Sequence, residues 1–209
     1  MIEYIEFTNA ELDVLGEVAN IGMGKAGATL SEALDTFITL KVPKVRVVEV
    51  SNFQQTTEEI IKNYNTINIV SQPFVGDING EAIILLSKSI YNLKGMLGYE
   101  EHEPFNRLKQ EELILEISSS LTGACIDGMG EQLALNAVLS RPNIIGFEKP
   151  AEQFYDLLFG KVKPAWEQTL VIQVQFFLEG NEFTCEIIIL YSQESLGKIL
   201  NSVKLLSES

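Results

Sequence analysis

Histidine, cysteine and positive charge are all scarce in this 209-residue chain, and each scarcity removes a class of chemistry. The single histidine, His102, lies in the acidic connector YEEHEPFN. One imidazole cannot build a zinc site of several histidines, and a Ser-His-Asp triad would need it buried beside a nucleophile. His102 is therefore read as a solvated linker residue. The two cysteines, Cys125 and Cys185, sit in apolar helical and strand contexts with no CxxC pair, and are expected as buried, reduced thiols. Lysine and arginine total 15 against 29 acids, a formal charge of −14. Nucleic acids and anionic membranes recruit basic patches, so neither is an expected partner, although a basic rim on a protein partner remains compatible. Long hydrophobic runs are missing too. The longest aliphatic stretches, 82–86 and 187–191, are far too short to span a bilayer, and the opening MIEYIEFTNAE lacks the basic and apolar segments of a secretory leader. No membrane insertion and a cytoplasmic location are the expectations.

What is present is apolar residue in quantity, 46% of the chain, enough for a substantial core. It is patterned. In Asp13-Val-Leu-Gly-Glu17-Val-Ala-Asn20-Ile-Gly22-Met-Gly24-Lys-Ala26, the residues Leu12, Leu15, Ala19, Gly22 and Ala26, continued by Ala33 and Phe37, follow 3/4 spacing and predict one buried helix face. Asp13, Glu17, Asn20 and Gly24 fall on the opposite face. That polar stripe is spare for binding.

The stripe occurs twice. Glu112, Glu116, Ser119 and Gly123 stand 99 residues after Asp13, Glu17, Asn20 and Gly24, and the same offset joins Ala26 to Cys125, Leu34 to Leu133, Leu40 to Leu139 and Pro43 to Pro142. A register held that long predicts a single domain over 1–209 made of two repeats, about 1–100 and 107–205.

Local signals fill in the elements. Thr8 with Glu11 three residues later forms a capping-box pattern opening a helix to about Asp35. Residues 37–50 alternate as strand around Pro43, and 54–63 suit a short helix. Residues 66–75, the turn Gly76-Asp-Ile-Asn79-Gly80, and 81–88 predict a hairpin with Asn-Gly at its tip. A short amphipathic helix over 89–98 closes the first half. The second half repeats the order: helix near 108–136, strand 142–148, hairpin 169–178 with 182–191, and helix 193–203. Only an insert over 149–166, rich in aromatics, stands unmatched. Hairpins with helices segregated between them predict an α+β protein with a mainly antiparallel sheet, shared about a pseudo-twofold axis and covered by two long helices. Residues 83–86 and, after Glu186, 187–190 are apolar at consecutive positions, so their hairpins belong at the sheet's centre.

The run Gly22-Met-Gly24-Lys-Ala-Gly27 matches GxGxxG but fails on context. A dinucleotide fingerprint needs a strand before it and a helix opening at it, whereas a helical pattern starts a dozen residues upstream and runs through. A Walker A loop fails as well, with Ala19 for its first glycine and Ala26 after Lys25. These glycines instead predict close approach of another backbone or a partner element to the helix.

The motif LxExxNIGxGxAxxxLS, carried by residues 15–31, resembles the CheC/CheX/FliY family of chemotaxis phosphatases. FliY-type members carry an additional flagellar switch domain, and CheX-type members a single central motif. The resemblance implies hydrolysis of the aspartyl phosphate on a CheY-type receiver, with Asn20 positioning the attacking water, Glu17 pairing with a receiver lysine, and Asp13 and Gly24 supporting docking. It implies no cofactor or metal held by this chain, because magnesium belongs to the phosphorylated CheY partner. It also implies a second partner, the CheD-type deamidase, for which the aromatic insert is a candidate surface; the plainer reading of that insert is a connector packed on the sheet. The second copy departs from the family pattern: Glu116 is kept, but Ser119 replaces the amide, predicting a degenerate site. A non-catalytic adaptor that binds phosphorylated CheY or CheD is the alternative.

Overall fold

Thr8 caps the first helix, α1 (Asn9–Leu34), through the predicted capping box. Its Oγ1 accepts from the Glu11 amide at 3.3 Å, and Glu11 Oε2 accepts from the Thr8 amide at 2.7 Å. The Thr8 amide and hydroxyl, both donating to Oε2, hold the Glu11 carboxyl below its ordinary range. At the other end Asp35 adopts the left-handed conformation (φ 46°) and stops the helix. Phe37, expected on the buried helical face, is 66% exposed, because the 3.6-residue repeat ends before it.

The computed structural model describes residues 4–35, 37–87, 104–160, 166–178 and 184–207. After α1 come β1 (Ile38–Leu40), β2 (Lys44–Glu49), α2 (Phe53–Ile61), and the hairpin of β3 (Thr66–Gly76) with β4 (Gly80–Leu86). The expected helix over 89–98 and His102 lie outside the described residues. Then follow α3 (Arg107–Leu133), β5 (Ala137–Leu139), β6 (Asn143–Pro150), α4 (Phe154–Phe159), β7 (Gln168–Leu178), β8 (Thr184–Tyr191) and α5 (Gln193–Ser207). The order of elements from α1 to β4 therefore recurs from α3 to β8. The aromatic insert is no exception, since it contains α4, which holds the same place as α2. Its match was hidden by a change of offset from 99 to 101 (Lys44 to Asn143, but Phe53 to Phe154). The extra residues fall in β6, where Glu148 has φ 46° and the pairing with β3 shifts register.

All strand pairs are antiparallel, in the order β1-β7-β8-β4-β3-β5, with β2 also on β7 and β6 also on β3. The two hairpins meet at the centre through β4 and β8, with Ile84 opposite Ile187. Both central strands are buried along their apolar runs, 82–86 and 187–190, as predicted, and Glu186 of β8 is buried with them. The outer strands are exchanged: β1 and β2 lie end to end along β7, while β5 and β6 lie end to end along β3.

Two apolar layers cover the sheet. On one face α1, α3 and α5 pack over residues such as Val70, Phe74, Ile84, Ile172 and Ile187. On the other, α2 and α4 pack over Ile67, Ile69, Val171 and Ile188. The insert aromatics belong to this second layer: Phe154 is fully buried, and Phe159 and Trp166 meet Phe53 edge-on at 5.3 and 5.2 Å. The same layer encloses Glu186, which accepts hydrogen bonds from the Gln173 amide and from the Tyr64 hydroxyl (3.2 Å). Burial pushes its carboxyl above the ordinary range, against the pull of those bonds.

Helices α1 and α3 touch backbone to backbone. A Cβ built on Gly128 would lie 2.7 Å from Gly22 Cα, and one on Gly22 would lie 2.9 Å from the Cys125 carbonyl oxygen. The close approach expected of the helix glycines is thus made at Gly22 by the chain's own α3. Lys25 of α1 closes the contact with an ion pair to Glu131.

Candidate functional site

The outward face of α1 presents Asp13, Glu17, Asn20 and Gly24, all exposed as the periodicity predicts. Glu17 and Asn20 are three residues apart and so lie one turn from each other on the same side of the helix. Among the described residues neither side chain has a hydrogen-bond or ion-pair partner. Both are uncommitted and available to an incoming molecule.

Beside them runs a groove of about 460 Å³ lined by Leu12, Asp13, Gly16, Glu17 and Asn20 from α1 and by Val42, Pro43 and Val45 from the opposite edge. Local chemistry creates it. Pro43 has no amide hydrogen to give the ladder, so the edge strand breaks between β1 and β2. The break turns Val42 outward, 83% exposed, opposite the helix. On the helix side Gly16 contributes no side chain, and a Cβ there would meet nothing within 4 Å. Gly24, one turn past Asn20, also faces open space but does not line the groove. Sequence reading missed Gly16, Val42 and Val45; comparing the two copies position by position is the signal that finds them.

On α3 the corresponding residues are arranged differently. Glu112 and Glu116 are exposed. Ser119 is half-buried, with its Oγ facing the Gln72 side-chain amide at 3.5 Å, and that amide also donates to the Ser140 carbonyl at 3.0 Å. The groove beside α3 measures about 470 Å³ and is lined by Glu111, Leu115, Pro142 and Ile144, extending to Arg107, Phe147 and Lys149 rather than to Glu116 or Ser119. Arg107 occupies that end, paired with Glu111 at 2.7 Å and lying over the Phe147 ring at 4.7 Å. The two faces are not equivalent.

No cluster of acids, cysteines and histidine suited to a metal occurs among the described residues, and no described helix is long and apolar enough to cross a membrane. Cys125 and Cys185 are buried free thiols, and burial pushes both well above the ordinary thiol range.

The architecture defines a class. It is shared with FliY from Thermotoga maritima (TM-score 0.68, 19% identity, 96% of this chain and 98% of that one) and with a CheC-like superfamily protein from a Shewanella species (0.54, 12%, 84% and 97%). The middle domain of FliM from H. pylori also shares it (0.61, 8%, 94% and 99%). Residues 11–46, which hold Asp13, Glu17, Asn20, Pro43 and Val45, match the model of the CheC-like family. The family match is confined to residues 11–46, and the structural neighbours show a shared fold over most of the chain.

Proposed function

We propose that this chain is a phosphatase for the aspartyl phosphate of a CheY-type receiver, working from the α1 face alone. The observation that carries the reading is the exposed, uncommitted Glu17–Asn20 pair beside a groove, inside the segment that matches the CheC-like family. An acyl phosphate is already reactive, and the receiver brings its own magnesium and lysine, so the partner's task is to hold a water in line with the phosphorus. An uncharged amide suits that task. Asn20 donates to one oxygen and accepts from the water without repelling the phosphoryl group. Glu17, one turn earlier, pairs with the receiver lysine and fixes the approach, with Asp13 adding negative charge to the same rim. Ser119 is too short to place a water where an amide head group would, and its partly buried hydroxyl leaves the α3 face without this chemistry. No cofactor of the chain's own enters the reaction, and the work is cytoplasmic.

The CheD-type deamidase is retained as a second partner on resemblance. Of the aromatic insert, Phe154 is fully buried, whereas Tyr155, Phe159 and Trp166 pack against the α2/α4 layer while staying partly exposed.

The test is single-turnover loss of phosphate from the phosphorylated receiver. Wild type accelerates the loss; Asn20→Ala returns it to the receiver's own rate with affinity near wild type; Glu17→Ala weakens affinity as well. Removal of one preorganised transition-state contact typically costs roughly 100- to 1,000-fold in rate. Unchanged turnover by Asn20→Ala sinks the mechanism, and binding without acceleration by wild type replaces it with the adaptor reading.

A further inference from the structure

We infer that the residue immediately before each acid, Gly16 on α1 and Leu115 on α3, determines which face of this protein can receive a receiver, together with the rim residues Val42 and Arg141. The inference rests on the phosphatase reading above and adds to it the origin of one-sidedness. By that account the α3 groove, similar in volume, is turned away from Glu116 and Ser119 by shape and charge, so the face is not merely disarmed by the loss of an amide.

The two grooves occupy corresponding places, since α1 and α3, the left-handed stops Asp35 and Ala134, and the prolines Pro43 and Pro142 all keep the 99-residue offset. Differences between their linings are therefore differences at matched positions. In the linings Leu12 is replaced by Glu111 and Gly16 by Leu115, while the counterpart of Val42 is Arg141, exposed next to Pro142 but outside the α3 groove lining. At Gly16 the space a side chain would take is open, and the groove reaches Glu17 and Asn20. At Leu115 a side chain takes that space and packs against the core, and the groove reaches Arg107, Phe147 and Lys149 instead. An apolar rim at Val42 becomes an exposed cation at Arg141.

The occupant of the α1 groove is the phosphorylated receiver itself. Glu17 and Asn20 line the groove wall, so a receiver element whose phosphoryl group reaches Asn20 must lie along Gly16 and against Val42. A side chain at position 16 would hold that element off the helix. Glycine carries no packing duty here that would explain it otherwise, in contrast to Gly22 and Gly128.

The experiment compares variants by receiver-concentration dependence of stimulated dephosphorylation, by direct binding of phosphorylated receiver, and by thermal melting. Gly16→Leu, with Glu17 and Asn20 intact, raises KM and the dissociation constant about tenfold or more while kcat changes little and the melting temperature does not fall. In an Asn20→Ala background, Ser119→Asn alone stays inactive, whereas Ser119→Asn with Leu115→Gly and Arg141→Val regains stimulation. Leu115→Ala replaces Leu115→Gly if the glycine variant melts early. Wild-type KM in Gly16→Leu, or full recovery by Ser119→Asn alone, overturns the inference. If wild type binds the receiver without accelerating hydrolysis, the phosphatase reading fails while the binding arm still decides between Gly16 and Leu115. If wild type does not bind the phosphorylated receiver, both fail.

Discussion

Gly128→Ala adds one methyl where the α1–α3 contact has no room for it. The new Cβ would lie 2.7 Å from Gly22 Cα, a backbone atom that no rotamer change can move, and 3.1 Å from Lys25 Cδ, which can. Relief therefore requires the two helices to separate by several tenths of an ångström along the seam where Met23 and Cys125 also meet. Overpacking of this kind costs about 1–3 kcal/mol, and alanine returns up to about 1 kcal/mol through its better helix propensity. The net expectation is a loss of about 1–2 kcal/mol. For a chain of this size that lowers the melting temperature by roughly 2–8 °C. The control is Gly16→Ala, in the same kind of helix but facing open space, which gains up to about 1 kcal/mol from propensity alone. Equilibrium urea unfolding of both variants beside wild type measures the difference. Equal stabilities for Gly128→Ala and Gly16→Ala would refute the reasoning, since propensity treats the two sites alike and only the backbone contact separates them.

Three further outcomes are expected. Glu186→Gln flattens a pH dependence: the raised native value means the folded state holds its proton longer than the unfolded chain, so wild-type stability falls as pH rises from the ordinary carboxylate range through the raised value. Denaturation midpoints across that window in wild type and variant should converge at low pH and diverge above it; parallel profiles would remove Glu186 from the account. Thr8→Ala breaks the capping box and costs about 1 kcal/mol, read as an earlier urea midpoint, with no shift counting against the cap. Cys125 and Cys185, fully buried, should react with a thiol reagent only after denaturation, and rapid native labelling of both would contradict their burial.

How much was legible in the sequence followed from how local each signal was. The capping box at Thr8, the polar face of α1 and the hairpin around Asn79-Gly80 depend on residues within a few positions of one another, and all appear as the pattern predicts. The pairing of β2 with β7 joins Val47 to Leu170, more than a hundred residues away, and no periodicity within either strand names that partner. Phe37 misled because helical spacing was carried past Asp35, whose left-handed backbone ends it. The insert misled because the bulged β6 shifted the repeat. Gly22 and Gly24 read alike as letters, yet one is pressed against α3 and the other faces open space. For the candidate site, the two polar side chains were legible because they repeat. The groove was not, because it lies between a helix and a strand break that only the fold brings together.

The exchanged outer strands carry a consequence for how such a chain comes to exist. β1 and β2 find their only described strand partner in β7, and β5 and β6 find theirs in β3, so each half completes the other's sheet edge. A first half made alone would expose the rim of β3 and leave β2 without a neighbour. Two copies of that half would satisfy each other across a twofold axis, because each supplies what the other lacks. Joining such a pair end to end fixes the association permanently, and it frees the copies from being identical. One face can then lose its amide and redirect its groove without unfolding the molecule, whereas any change in a symmetric pair would strike both faces at once.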